Sequence, residues 1–460
     1  MTLFPQAETY LNGLKTTYEL SSLLLESGKR NLDAGFKLYE DNMEATLNGP
    51  LSLFSATGTD DQSRMEIHRS LLETGRRMLD RPKENITLAL DRFQRDARDQ
   101  VDYLRLFTDK PKAQDWSFGY NSTDILLDLP GLRLIDISLD TKHKIGNYTV
   151  VFAPRAGHHS NIAERTARFM RDRGLTRMAV VEQKCASDIP LYVNGQRHHE
   201  NFDGQVEQYR AVLEHLRDIT GHPPHLVAVC QPGPLLAATL ILYPDLGKTF
   251  GSAGSPMHTE GEESLLTNFS RLMGENYIDV LMNFFYRKVP EGEVGAGRKI
   301  YDGRLQVLGF YMLGIDQHVK NFRKAYSDIR KGNRDAYLRQ KNFYEWYNYV
   351  THFPAGFIRD TYKKIFVNNE LIRGTMEING QTVDIKNYPG DVPIWALGGT
   401  KDDIAPPLQA TGHVPLIESV PEKDRLVVPA NAGHMGLFRS QKVLENDYSR
   451  ITQFLLERSD

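Results

Sequence analysis

The chain has 460 residues, 40% of them hydrophobic and 25% charged, with 59 acids against 56 Lys and Arg for a net charge of −3. That length has room for two or three compact units and a large core without metals or disulfides. The near-neutral balance excludes a strongly basic nucleic-acid binder, no apolar run approaches the roughly 18–20 residues of a membrane span, and two cysteines, Cys185 and Cys230, are too few for a disulfide framework.

The first residues, Met1 to Glu8, carry no charged segment leading into an apolar one, so no secretory signal is expected and a reducing, cytoplasmic setting is. To about residue 115 the chain reads as helical. Ile86, Leu90, Phe93, Ala97, Val101 and Leu104 are spaced 4, 3, 4, 4 and 3, one face of a helix, with Asp91, Arg92, Arg95 and Asp96 directed elsewhere. Tyr10–Leu25 and Met65–Leu79 read as further helices, broken near Gly58-Thr59-Asp60-Asp61. A cap or dimerisation element is the expectation, compatible with a homo-oligomer; a surface-binding role is the alternative.

After Pro130 the pattern changes. Ile135, Ile137 and Leu139 alternate with Asp136, Ser138 and Asp140, as in a half-buried strand. Tyr148–Ala153, Met178–Val181, Leu226–Val229, Ile394–Leu397 and Arg425–Val428 are short apolar runs, with amphipathic stretches such as Ile162–Arg173 and Val206–Leu216 between them. Strands alternating with helices predict a mainly parallel α/β sheet. The interval 257–390 interrupts this rhythm with helical, aromatic-rich segments (Phe284, Phe285, Tyr286; Phe343, Tyr344, Trp346, Tyr347, Tyr349). The expected organisation is therefore a helical N-terminal region over 1–115, a first part of an α/β core over 130–256, a helical lid insertion over 257–390 and the second part of the core over 391–460.

The run Leu226-Val227-Ala228-Val229 leads into Cys230-Gln231-Pro232-Gly233-Pro234, and a small-residue helix follows. This is the strand–turn–helix setting of a nucleophile elbow, in which a sharp turn lifts the nucleophile above the sheet edge. The N–H groups of the next helix then favour a thiolate. The box reads Ala228-x-Cys230-x-Pro232, departing from G-x-S-x-G at both glycine positions. After Ile394–Leu397 comes Gly398-Gly399-Thr400-Lys401-Asp402-Asp403, where a G-x-x-D spacing prefers Asp402; a lone loop Asp would be read as a turn or cap residue. After Leu426–Val428 comes Asn431-Ala432-Gly433-His434-Met435-Gly436. Cys230, Asp402 and His434, each following its own strand, stand in the nucleophile–acid–base order of α/β-hydrolases.

These roles predict attack by Cys230 on an ester carbonyl, His434 as base and Asp402 as the group that orients the imidazole. The oxyanion requires two fixed donors. One expected donor is the backbone N–H of Gln231; the other belongs to the loop Pro154-Arg155-Ala156-Gly157-His158-His159, at Arg155 or Ala156. The His158-His159 pair lacks the accompanying ligand spacing of a metal site, and no metal is expected.

The segments Val150–His159, Val229-Cys230-Gln231-Pro232, Asp402-Asp403-Ile404 and Asn431–Gly436 resemble those of bacterial intracellular poly(3-hydroxybutyrate) depolymerases, and the likeness runs from about residue 130 to the C-terminus. The resemblance implies an α/β-hydrolase fold with a helical N-terminal extension and a helical lid. It also implies Cys230 as nucleophile, Asp402 as acid and His434 as base. The implied substrate is the stored polyester granule, cleaved to 3-hydroxybutyrate or its oligomers. No cofactor is implied; water is the acyl acceptor, or coenzyme A as a co-substrate yielding 3-hydroxybutyryl-CoA. The helical N-terminal stretch is longer than the family pattern, and Gly254-Ser255-Pro256 matches it loosely. Two other readings are a polyhydroxyalkanoate synthase-like acyltransferase, whose G-x-C-x-G box Ala228 and Pro232 do not match, and a catalytically inactive granule-associated binding protein.

Overall fold

In the computed structural model, described for residue 9 and residues 11–20, 83–141 and 145–460, the apolar runs form one eight-stranded sheet. Its strands are β1 (Ile125–Asp128), β2 (Leu132–Asp136), β3 (Thr149–Phe152), β4 (Met178–Gln183), β5 (His225–Val229), β6 (Thr249–Ala253), β7 (Ile394–Gly399) and β8 (Arg425–Ala430). They lie in the order β1-β2-β4-β3-β5-β6-β7-β8. β1 and β2 pair antiparallel with their neighbours, and β4 through β8 are all parallel.

Successive side chains point to opposite faces of a strand, and a parallel sheet covered on both faces must be apolar at every position. β5 shows this directly. Leu226 and Ala228 pack into one core with Phe152, Phe250 and Ile394, while Val227 and Val229 pack into another with Val151, Trp395 and Leu397. This architecture is that of an α/β-hydrolase.

Three strands depart from the expected pattern, the first being β1, which lies ahead of Pro130, where no strand is expected. Regular β2 ends at Asp136, because the Asp136 carboxylate takes the Ser138 N–H and hydroxyl into a local turn; Ile137 and Leu139 still donate backbone hydrogen bonds to Met178 and Thr176. β6 is absent from the expected strands because its Gly-Ser-Ala end carries no apolar run.

The chain divides into two compact units, Met1–Lys112 with Gly314–Trp346, and Ala113–Leu313 with Tyr347–Asp460. In the first, the helix Lys83–Thr108 turns Leu106 against Ala325, Ile329 and Tyr337, with Tyr103 packed beside them. The Tyr337 hydroxyl donates to the Asp102 carbonyl, and Arg330 pairs with Asp96. Residues 11–20 are helical, whereas the expected Met65–Leu79 helix and the break near Gly58 lie outside the described residues. The sheet belongs to the second unit. No helix among the described residues is long and apolar enough to cross a membrane.

Candidate active site

Cys230 is the first residue beyond β5, and its backbone has φ 62°. A side chain in this left-handed region costs about 1–2 kcal/mol, a strain found where a turn must aim one group. Two neighbours hold the turn. The Cys230 N–H donates to Ala253 O at 2.9 Å, tying it to the end of β6. Gly233 opens the next helix, Gly233–Leu242, so close to Ser255 and Met257 that a Cβ would lie 2.6 Å from Ser255 Oγ and 2.8 Å from the Met257 sulfur. The small residues of the Cys230 segment thus let a helix N-terminus, which favours negative charge, begin just beyond the sulfur.

Asp402 and His434 converge from the turns after β7 and β8. Thr400 N–H donates to Ala430 O and Lys401 N–H to Ala432 O, at 2.8 and 3.1 Å, so the two turns are laced together by backbone bonds. The Asp402 side chain is fully buried and satisfied. Its Oδ1 accepts from the N–H groups of Ile404 and Ala405, both at 2.9 Å, and its Oδ2 lies 2.7 Å from His434 Nδ1. Asp403 is exposed, so of the two adjacent acids the chain buries the first.

Asp402 thus fixes Nδ1–H as a donor and leaves Nε2 as the ring nitrogen open to Cys230, whose charge also acts on the imidazole. Burial works against a charged imidazole, but the Asp402 carboxylate and Cys230 outweigh it and hold His434 well above the usual histidine range. The structure therefore brings the three sequence candidates to one point.

The loop after β3 lies beside them. Arg155 N–H donates to the Gln231 side-chain oxygen at 3.4 Å, joining the two segments expected to supply oxyanion donors; Ala156 follows, half-buried. Gly157, at φ 88°, accepts from Thr351 N–H at 2.9 Å. His158 packs between Phe310 and Tyr347, and desolvation pushes its pKa down to about 3. His159 turns the other way, 3.3 Å from Glu182 Oε1, and accepts from Asn161 N–H. The adjacent histidines thus face different neighbours, and among the described residues no group of three His, Cys, Asp or Glu side chains could hold a metal ion. Cys185, the second thiol, accepts from the Ser187 hydroxyl and the His352 N–H, each at 3.2 Å.

Sequence reasoning did not find what holds Arg155. Its guanidinium is buried and bonded to Glu200 and to Gly131 O, residues 45 and 24 positions away, and no local motif marks them.

Residues 254–459 match the family model described as PHB de-polymerase C-terminus. That stretch holds Asp402 and His434 and begins 24 residues after Cys230. A search of curated proteins finds no match to the chain. Among solved structures, a monoacylglycerol lipase of Paleococcus ferrophilus is similar at 15% identity and TM-score 0.40, over 71% of this chain and 99% of the lipase. A thermophilic esterase of Thermogutta terrifontis is similar at 12% identity and TM-score 0.38, over 72% of this chain and 94% of the esterase. A meta-cleavage product hydrolase of Pseudomonas fluorescens is similar at 14% identity and TM-score 0.37, over 72% and 97%.

Proposed function

We propose that this chain, whose residues 254–459 match the family model described as PHB de-polymerase C-terminus, is an ester hydrolase that cleaves poly(3-hydroxybutyrate) through a Cys230–His434–Asp402 triad and a thioester acyl-enzyme. The observation that carries the reading is a cysteine held at positive φ on a strand-to-helix turn, its charge acting on a histidine whose Nδ1 is paired with a buried aspartate.

In the acylation step His434 takes the Cys230 proton, and the sulfur attacks the ester carbonyl carbon. The negative charge that develops on the carbonyl oxygen is met by the Gln231 N–H and by an N–H of the Arg155–Ala156 segment. The C–O bond then breaks, the leaving alkoxide takes its proton from His434, and a 3-hydroxyacyl thioester remains on Cys230. Asp402 holds the ring tautomer throughout. In deacylation His434 takes a proton from water, or from the thiol of coenzyme A, and the new nucleophile displaces the Cys230 sulfur. Water yields 3-hydroxybutyrate or an oligomer; coenzyme A yields 3-hydroxybutyryl-CoA.

His158 is packed by Phe310 and Tyr347 of the aromatic insertion, which supports a role for that segment in covering the acyl site. A granule surface is the partner this substrate requires, and a cytoplasmic location follows from it.

The test is incubation of the purified chain with native amorphous granules, with and without coenzyme A, followed by product identification. Release of 3-hydroxybutyrate, its oligomers or its coenzyme A thioester, abolished in Cys230→Ala, is the expected result. Release that persists in Cys230→Ala contradicts the mechanism. Net polymer formation from 3-hydroxybutyryl-CoA by the wild type points to the acyltransferase reading instead.

A further inference from the structure

The loop that carries Arg155 and Ala156 is anchored from below by a closed ring of charge-assisted hydrogen bonds. Arg155 Nη1 donates to Glu200 Oε2 at 2.7 Å and Nη2 donates to Gly131 O at 2.9 Å. Gly131 N–H donates to Gln208 Oε1 at 2.7 Å, and Gln208 Nε2 donates to Glu200 Oε1 at 2.9 Å, which returns the ring to its start. His198 Nε2 lies 2.6 Å from the same Glu200 oxygen. Both charged side chains are out of water, at 3% and 0% exposure for Arg155 and Glu200.

The packing admits no substitute geometry. A Cβ on Gly131 would fall 2.2 Å from Glu200 Oε1. The Arg155 guanidinium also lies over the Phe357 ring, 5.2 Å from its centroid. Glu200 stays ionised in this setting. Burial alone would raise its pKa, but Arg155 and His198 overcome that and hold it at about 2.

A buried ion pair is a poor source of stability, since desolvation offsets most of its attraction and an apolar pair of similar volume often serves as well. Arg155 Nε has no hydrogen-bond partner among the described residues, but both terminal nitrogens are held, and what such a closed ring does supply is a unique position for the backbone that carries it. That backbone is the one whose N–H already reaches the Gln231 side chain, next to Cys230.

We propose that Glu200 and the Arg155 side chain are positioning residues for the oxyanion donors of the Arg155–Ala156 segment, holding this loop in register with the Cys230 turn through Gly131 and Gln208. The proposal rests on the ester-cleaving reading of the site. Neither side chain touches substrate; each acts through the loop backbone, so its removal lowers transition-state stabilisation and leaves ground-state binding nearly intact.

The test compares the full-length wild type with Glu200→Gln and with the double variant Arg155→Met/Glu200→Leu. The double variant removes both charges together and keeps the fold testable where the single change strands a buried guanidinium. Three measurements are made: amide hydrogen exchange, kcat and KM on p-nitrophenyl butyrate, and the rate of Cys230 alkylation by iodoacetamide. The expected result is faster exchange across residues 153–160 with β5 still protected. Alongside it, kcat falls about 10- to 100-fold, KM stays within about threefold, and the alkylation rate holds, since alkylation forms no oxyanion. Unchanged exchange over 153–160 in both variants overturns the proposal, as does a loosened loop with full kcat, or a fall in alkylation equal to that in kcat. The exchange result is independent of chemistry, so ester cleavage that survives Cys230→Ala strikes the reading of the site alone.

Discussion

Gly251 of β6 lies directly beneath the indole of Trp395 on β7, its paired residue in the parallel register, and a Cβ there would sit 1.7 Å from Trp395 Cε2. Trp395 is fully buried among Val227, Val229 and Leu397, so the ring has nowhere to go. Gly251→Ala is expected to destabilise the fold by about 3 kcal/mol, an overpacking cost at its upper range. Urea unfolding measures it, and Gly251→Ala combined with Trp395→Phe should recover part of the loss. Wild-type stability in the single variant would mean that the two strands pack differently.

Asp402→Asn tests how the imidazole is held. An amide in place of the carboxylate offers His434 Nδ1 the wrong partner, and kcat should fall about 10²- to 10⁴-fold with KM little changed. The pH profile adds a sign. His434 has a raised pKa in the folded chain, so the stability from its charged form is fully present below the unfolded value of about 6.5 and is lost as pH rises through the folded value. As the base, His434 acts deprotonated, so the low-pH limb of kcat/KM should move to lower pH in Asp402→Asn. A limb that stays in place would separate it from His434.

His413 supplies an acid-sensitivity test outside the site. It is fully buried, both ring nitrogens lack a hydrogen-bond partner among the described residues, and burial, aided by His258, lowers its pKa to about 3. Between that value and about 6.5 the unfolded chain binds the extra proton. Stability gained by burying the neutral ring is thus present above pH 6.5 and is lost as pH falls. At pH 5 this amounts to about 2 kcal/mol. His413→Leu should shrink the difference in unfolding free energy between pH 7 and pH 5 by about that much. An unaltered difference would show that His413 is not among the groups that set it.

The three residues brought together at the site were legible because each is announced locally: Cys230 by a strand running into a small-residue helix, Asp402 by a G-x-x-D turn, His434 by a glycine-flanked loop after an apolar run. The continuous apolar runs of β3, β4, β5 and β7 likewise declare strands buried on both faces. β6 escaped because Gly251 is small for a reason that lies on another strand, namely Trp395. The Arg155 ring escaped because Gly131, Glu200 and Gln208 are distant in sequence and meet only after β2, β3 and the helix Phe202–Thr220 have packed. The Ile86–Leu104 periodicity announces a helix, but nothing in it names Ala325, Ile329 and Tyr337 as its partners. Local chemistry is written locally, whereas complementarity between distant segments has no period to read.

The most direct measurement of the central claim is intact-protein and peptide mass spectrometry of the chain quenched in acid within its first turnovers on p-nitrophenyl butyrate. A butyryl adduct confined to the peptide containing Cys230, removed by neutral hydroxylamine as a thioester is and absent in Cys230→Ala at the same position, is the predicted result. An adduct on another residue, or turnover at the wild-type rate by Cys230→Ala, would contradict it.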